Sequence, residues 1–358
     1  MKSFLKRGAW LPVLLFWACV VWTFLGYDLP PALLGAFLVT ALLYFSFYVV
    51  ENSLGWFVLR RTLEALFTIF VIASLTFLLL RTIPGGPFDE EKALPPEVKA
   101  NIEAKYGLDQ PLLTQYVIYM GNLAHGDLGE SYKYVGRPIT EIIADAFPTS
   151  IQLGVYALLV AYLLGLPLGV IAASRHGTWM DSALMMAAIS GVSLPSFLVA
   201  PLFVILFSFT LGWFEPALWE GPSFYVLPMV VLGIRPAAGI ARLTRASVLE
   251  VIRSDFIRTA KSKGLSERVV LFKHVFRNSL IPVLSLAGPM VAGILTGSFI
   301  IELIFAIPGL AKHMIQSVTN RDYPLVLGAT LLFSVMLVVA NLITDLLIAM
   351  IDPRVKFS

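Results

Sequence analysis

Cysteine occurs once, at Cys19, and histidine only four times, at His125, His176, His274 and His313. A single thiol excludes an intrachain disulfide and a cysteine-built metal cluster, and inside an apolar run it reads as a small packing residue. The histidines fall in different loops, and neither His-Glu-x-x-His nor Gly-x-Ser-x-Gly occurs, so no metal pair and no nucleophile with its base is apparent. That leaves an intramembrane hydrolase without a catalytic site, and no catalytic or metal-binding residue is assigned. The phosphate-cradling Gly-x4-Gly-Lys-[Ser/Thr] is also missing, so this chain has no motif of its own for ATP hydrolysis. Charge is scarce as well: 14% of the 358 residues are charged and 58% are hydrophobic, against about 25% and 45–50% in soluble domains. So large an apolar excess cannot be hidden from water, and the bilayer is the main solvent. The net charge of +3 is gathered in a few loops, which speaks against a nucleic-acid partner.

Apolar runs at 9–26, 31–50, 63–83, 151–173, 183–211, 226–240, 280–301 and 325–351 give eight predicted spans. The weakest is 226–240, which is short and holds Arg235, Pro236 and Gly239. With the N-terminus inside, 17 Lys and Arg residues fall in cytoplasmic loops and eight outside, and Arg235 stays in the membrane. That bias agrees with every alternation and places both termini in the cytoplasm of an inner-membrane protein. The first run could be a cleaved signal, but no small-x-small site follows it; with the second run it reads as a retained helical hairpin over 1–55. The first core span then occupies 56–83, an outer subdomain 84–148, and a five-span core 149–358. The outer segment carries ten acidic residues against five basic ones, with short helices expected over 95–106 and 112–123. It is either a solvated cap or a docking surface for an external protein. Pro167, Pro195, Pro201, Pro228, Pro236 and Pro289, with Gly165, Gly191, Gly239 and Gly293, suggest kinked helices around a pathway.

The 40 residues after Ile240 hold nine basic residues and three acidic ones, with apolar positions at helical spacing. Gly264 ends one predicted helix in a left-handed turn, and Ser266 caps the next, which returns to the membrane at Pro282. A basic amphipathic segment could lie on anionic lipid. The rigid turn between two apolar faces instead favours a lever seated in a soluble partner.

Around that turn, Arg258-Thr-Ala-Lys-Ser-Lys-Gly264-Leu-Ser266 with His274 and Arg277-Asn278 resembles the EAA loop of binding-protein-dependent ABC importers, in its dipeptide and oligopeptide form. Leu80-Arg-Thr-Ile-Pro-Gly-Gly-Pro87, Gly107-Leu-Asp-Gln-Pro111, Gly126-Asp-Leu-Gly129, Ile294-Leu-Thr-Gly-Ser298 with Glu302, Ile307-Pro-Gly-Leu310, Asn320-Arg-Asp-Tyr323 and Asp352-Pro-Arg354 resemble the same family in the same order. The resemblance starts near Leu59 and is closest to the first membrane subunit of oligopeptide permeases. It departs from the family at the extra N-terminal hairpin, at Arg258-Thr-Ala260 where the general consensus has Glu-Ala-Ala, and at Arg235.

The resemblance implies an all-α polytopic fold, a six-span type I importer core, and a non-catalytic permease subunit for oligopeptides or dipeptides. Nickel chelates or oligosaccharides are the alternative cargoes within the branch. The implied partners are a second homologous permease, two ABC ATPases, an external solute-binding protein, membrane lipid and the peptide itself. No cofactor is implied in this chain, with ATP and magnesium on the ATPases. The coupling contact is expected from Arg258, Thr259, Ala260, Lys261, Gly264, Leu265 and Ser266 within a loop spanning 246–279. Arg235, Glu302 and Asp345 are read as pathway or buried-pair residues, Arg235 pairing with Asp345. An ion-coupled secondary transporter would call for several midplane carboxylates and needs no basic lever.

Overall fold

The computed structural model describes residues 55–83, 86–88 and 96–351. The expected N-terminal hairpin and the motif at Asp352-Pro-Arg354 lie outside the described residues. Among those residues the chain is helical, with one isolated bridge between Glu130 and Pro138. Helix α1 is Gly55–Thr82. The segment expected as an outer subdomain holds α2 (Pro96–Lys105) and α3 (Leu112–Ala124). The core follows with α4 (Ile139–Ser174), α5 (Trp179–Ser193), α6 (Ser196–Phe203) and α7 (Pro222–Ile252). Among the described residues four helices, α1, α4, α7 and the C-terminal one, are long and apolar enough to cross a membrane.

Three expected spans depart from the predicted rods, and the run at 280–301 is split at Leu286 into helices Arg277–Ser285 and Ala287–Ile304. The run at 183–211 is two helices bent by 104°, α5 and then α6 with its π-helical continuation Val204–Thr210. Pro195 lacks an N–H and pushes Leu194 into extended geometry (φ −83°, ψ 123°), which ends α5. The span at 226–240 is not short: α7 continues through Pro228 and Pro236 to Ile252, so Arg242 and Arg245 belong to a helix and not to a loop. Charge had disguised the continuation, because the helix changes solvent without changing conformation.

Helices α4 and α7 form the centre. Leu153, Ala157, Val231 and Leu232 pack in one core cluster, and Ala161, Ala237 and Ile240 in another. The backbones come together at small residues: a Cβ at Gly165 would lie 2.7 Å from the Ala237 carbonyl oxygen, and one at Gly169 2.6 Å from that of Ala241. Lipid offers no hydrophobic drive for helix association, so such close packing carries it. Gly165, expected as a kink residue, is therefore a contact residue.

Helix α8 is Asp255–Ser262, and α9 is Glu267–Val269, which continues as π-helical turns over Val270–Phe276 into α10 (Arg277–Ser285). Then come α11 (Ala287–Ile304), α12 (Leu310–Thr319) and α13 (Tyr323–Ile351). Helix α1 is held to α13 near both ends, by an Arg61 to Asp345 ion pair of 3.1 Å and by Arg81 lying 5.9 Å from the Tyr323 ring centroid.

In the segment between α2 and α4, several of the short motifs resolve into hydrogen bonds. Gly126 and Gly129 take positive φ, and Asp127 Oδ1 accepts from the Gly129 N–H at 2.8 Å. Buried Asp322 accepts from the Ser131 hydroxyl and the Tyr132 N–H, which fixes the subdomain to the start of α13. Tyr132 packs against Phe88 and Tyr106, and burial pushes its phenol up to about 12. Helix α3 leans on α1, with Tyr119 stacked on Phe77 at 5.3 Å and the Tyr116 and Ser74 hydroxyls 2.7 Å apart.

Glu302 is buried and accepts from the Ala311 N–H at 2.9 Å, in the first turn of α12. The Ser150 hydroxyl also bonds the carboxylate and accepts from the Leu310 N–H at 2.9 Å. A Cβ at Gly309 would collide with both Glu302 and Ser150, which accounts for glycine in Ile307-Pro-Gly-Leu310. Glu302 thus caps α12, where the carboxylate also faces the positive end of the helix dipole. Glu302→Ala strands buried donors and should lower stability by about 1–3 kcal/mol. Thermal unfolding of the detergent-solubilised protein would measure it, and an unchanged midpoint would contradict the capping role.

Candidate functional site

The turn at Gly264 is built as expected in outline. Helix α8 ends in a Schellman arrangement: the Gly264 N–H donates to the Lys261 carbonyl at 2.9 Å and the Leu265 N–H to the Ala260 carbonyl at 3.4 Å. Gly264 holds φ +75°, and no atom lies within 4 Å of where its Cβ would be, so the demand for glycine is conformational and not steric. Ser266 has the extended backbone of a cap, but its side chain makes no capping bond; its carbonyl instead accepts from the Val270 N–H at 3.0 Å.

The elbow has two faces. Ile257, Ala260, Val270 and Val275 are buried in one cluster with Ala173 at the end of α4 and Val248 near the end of α7. Ala260, expected at the partner contact, therefore faces its own chain, because it falls on the same helix face as Ile257. Arg258, Thr259, Lys261, Gly264, Leu265 and Ser266 are exposed, and with them Phe256 and Val269. Val270, one residue later than Val269, makes the inward contact. The outward face thus joins cations to large apolar side chains beyond the membrane helices, a composition suited to a protein groove.

The elbow is wired to the helices by packing, and next to it by charge. Arg245 on α7 donates Nε and Nη2 to buried Asp181 on α5 at 2.6 and 2.7 Å, and the Gly177 N–H donates to the same carboxylate at 3.1 Å. His176 Nδ1 lies 3.2 Å from that carboxylate. Sequence reading missed this cluster by treating Arg245 as loop charge; an aspartate just ahead of an apolar run and shortly after Arg175 and His176 is the signal that could have found it.

Arg235 does not meet Asp345, which pairs with Arg61. It lines a cavity of about 600 Å³ together with Arg242, two turns further along α7. Neither arginine makes a hydrogen bond or ion pair among the described residues.

The family model of binding-protein-dependent transport system inner membrane components matches residues 165–357, and the model of the N-terminal part of such components matches residues 54–154. The oligopeptide transport system permease protein OppB of Salmonella typhimurium is 46% identical over 303 residues, covering 84% of this chain and 99% of that protein. The dipeptide transport system permease protein DppB of Bacillus subtilis is 43% identical over 300 residues, covering 84% and 97%. Among solved structures, an inward-facing MetNI methionine ABC transporter aligns with a TM-score of 0.50 at 15% identity, over 61% of this chain and all of the other, a likeness of fold alone.

Proposed function

Because the chain belongs to the family of binding-protein-dependent transport system inner membrane components, we propose that it is the pathway-forming permease subunit of an ATP-driven importer of oligopeptides or dipeptides. The observation that carries the coupling half of this reading is the elbow at Gly264, exposed on its outward face and packed into the ends of α4 and α7 on its inward one. The cargo class follows the oligopeptide and dipeptide permeases that the chain resembles over 84% of its length.

ATP and magnesium are handled by two partner ATPases. As these close on nucleotide, the elbow moves as a rigid body, and Ile257 and Val270 carry the motion to Ala173 and Val248, shifting the pathway between outward and inward access. Arg258, Lys261 and Leu265 meet the ATPase groove. A second homologous permease completes the pathway, and an external solute-binding protein delivers peptide at the outer subdomain built on α2 and α3. Both termini lie in the cytoplasm, as the distribution of basic residues favours.

Purification from its native membrane with this chain as bait tests the reading. Recovery of two ABC ATPases, a second permease and a solute-binding protein is expected. Recovery of the chain alone, with uptake driven by an ion gradient and no ATPase present, would overturn it.

A further inference from the structure

Two helix breaks and a proline within a continuous helix meet around one space. The cavity that holds Arg235 and Arg242 is walled by Ser196 after the α5–α6 bend, by Leu286 and Pro289 at the α10–α11 joint, and by Pro236 within α7. Interrupted helices near the middle of a membrane leave backbone groups and room for a ligand, and non-helical backbone is tolerated there only beside protein or a watery cavity. No aspartate or glutamate lines the space.

An arginine inside the hydrocarbon layer is expensive unless it has a partner. Other charged groups of this bundle are partnered: Asp181 by Arg245, Asp345 by Arg61, and Glu302 by the Ala311 N–H. Arg235, within the predicted span, and Arg242, just beyond its end, make no such pair among the described residues and are both exposed in the isolated chain; they sit seven residues apart on one helix face, about 10 Å along its axis. A guanidinium presents a planar fork that matches a carboxylate in two parallel hydrogen bonds. Two such forks in line suit an anionic group that passes from the first to the second.

We propose that Arg235 and Arg242 form a carboxylate relay in the translocation pathway that reads the free C-terminal carboxylate of the cargo peptide. This rests on the peptide-permease reading above. Arg235, near the middle of α7, takes the carboxylate first, and Arg242, nearer the cytoplasmic elbow, takes it next. Gly239 lies between them on the same face, where the nearest neighbour to an added Cβ is Met290 Cε at 3.9 Å, so the track between the two guanidinium groups is open.

The test uses the complete importer in proteoliposomes, with ATP and its binding protein, and compares uptake of one tripeptide as the free acid and as the C-terminal amide. The binding protein is the same throughout, so its own preference cancels when the acid-to-amide ratio of a variant is divided by that of the wild type. Arg235→Gln combined with Arg242→Gln should lower the ratio at least tenfold, about 1.4 kcal/mol. Met290→Glu, which leaves both arginines in place and supplies a resident carboxylate, should lower it as well and keeps the test open if the glutamine pair is not recovered. A ratio unchanged while both peptides slow equally would overturn the relay and point to a fixed carboxylate on the second permease. If the wild type imports neither peptide, the peptide reading falls and takes the relay with it.

Discussion

Gly169→Val should leave almost no monodisperse protein after solubilisation, and the milder pair Gly165→Ala with Gly169→Ala should lower thermal stability clearly. The reason is local. A Cβ at Gly169 would sit 2.6 Å from both the Ala241 carbonyl oxygen and the Thr244 Cβ, and one at Gly165 2.7 Å from the Ala237 carbonyl oxygen and the Ile240 Cβ. Ordinary contact needs about 3.5–4 Å, so α4 and α7 must move apart by roughly 1 Å along their shared seam. Backbone atoms cannot rotate away as a side-chain tip can. Gly233, on the other helix, meets the Ala157 carbonyl oxygen at 2.7 Å, so the seam is tight from both sides. Overpacking typically costs about 1–3 kcal/mol at one site, and valine adds two further carbons at the closest point. Gly121→Ala, on α3 with nothing within 4 Å of its Cβ, serves as the control and should be neutral or slightly stabilising. Fluorescence-detected size exclusion reads the outcome; Gly169→Val behaving like Gly121→Ala would contradict the seam.

That seam shows what a sequence of this kind hides. Long apolar runs announce membrane helices because the bilayer requires them; α1 and the C-terminal α13 fall where hydropathy places them, while α4 starts twelve residues ahead of its predicted span, at Ile139. The elbow was legible for a different reason: a turn with a left-handed residue has few sequence solutions, and Gly264 followed by Leu265 and Ser266 is one of them. Glycines inside spans are ambiguous, since kinking, close packing and cavity lining ask for the same missing side chain. Gly165 turned out to pack and Gly239 to line a cavity. Pairing of buried charges was equally hidden. Asp345 could have matched any arginine at its depth, and only the placement of α1 beside α13 gives it Arg61. Glu302 read as a pathway carboxylate because composition cannot tell a helix cap from a lining residue; the collision of a Gly309 Cβ with its carboxylate resolves the difference.

Gly264→Val should leave insertion and the transmembrane fold intact and yet remove capture of the partner ATPases. Nothing lies within 4 Å of the position, so the substitution creates no collision in this chain. Its effect is on backbone geometry alone: φ is +75°, and a side chain there costs about 1–2 kcal/mol, more when it is β-branched. The chain can escape that cost by abandoning the Schellman turn, which breaks the bonds from Gly264 to Lys261 and from Leu265 to Ala260 and so displaces Leu265. Because Ile257 and Ala260 remain buried in the cluster with Ala173 and Val248, the distortion stays on the outward face. A groove shaped for the unbent elbow then loses its contact, and a loss of about 1.4 kcal/mol is already tenfold in affinity. Gly264→Asn separates conformation from size, since asparagine tolerates the left-handed region, and it should retain most of the capture that valine abolishes. Tandem purification with quantified ATPase recovery decides the matter. Full recovery with valine would show that the elbow is not what the ATPases hold, whereas loss with valine and retention with asparagine would tie coupling to the shape of one turn.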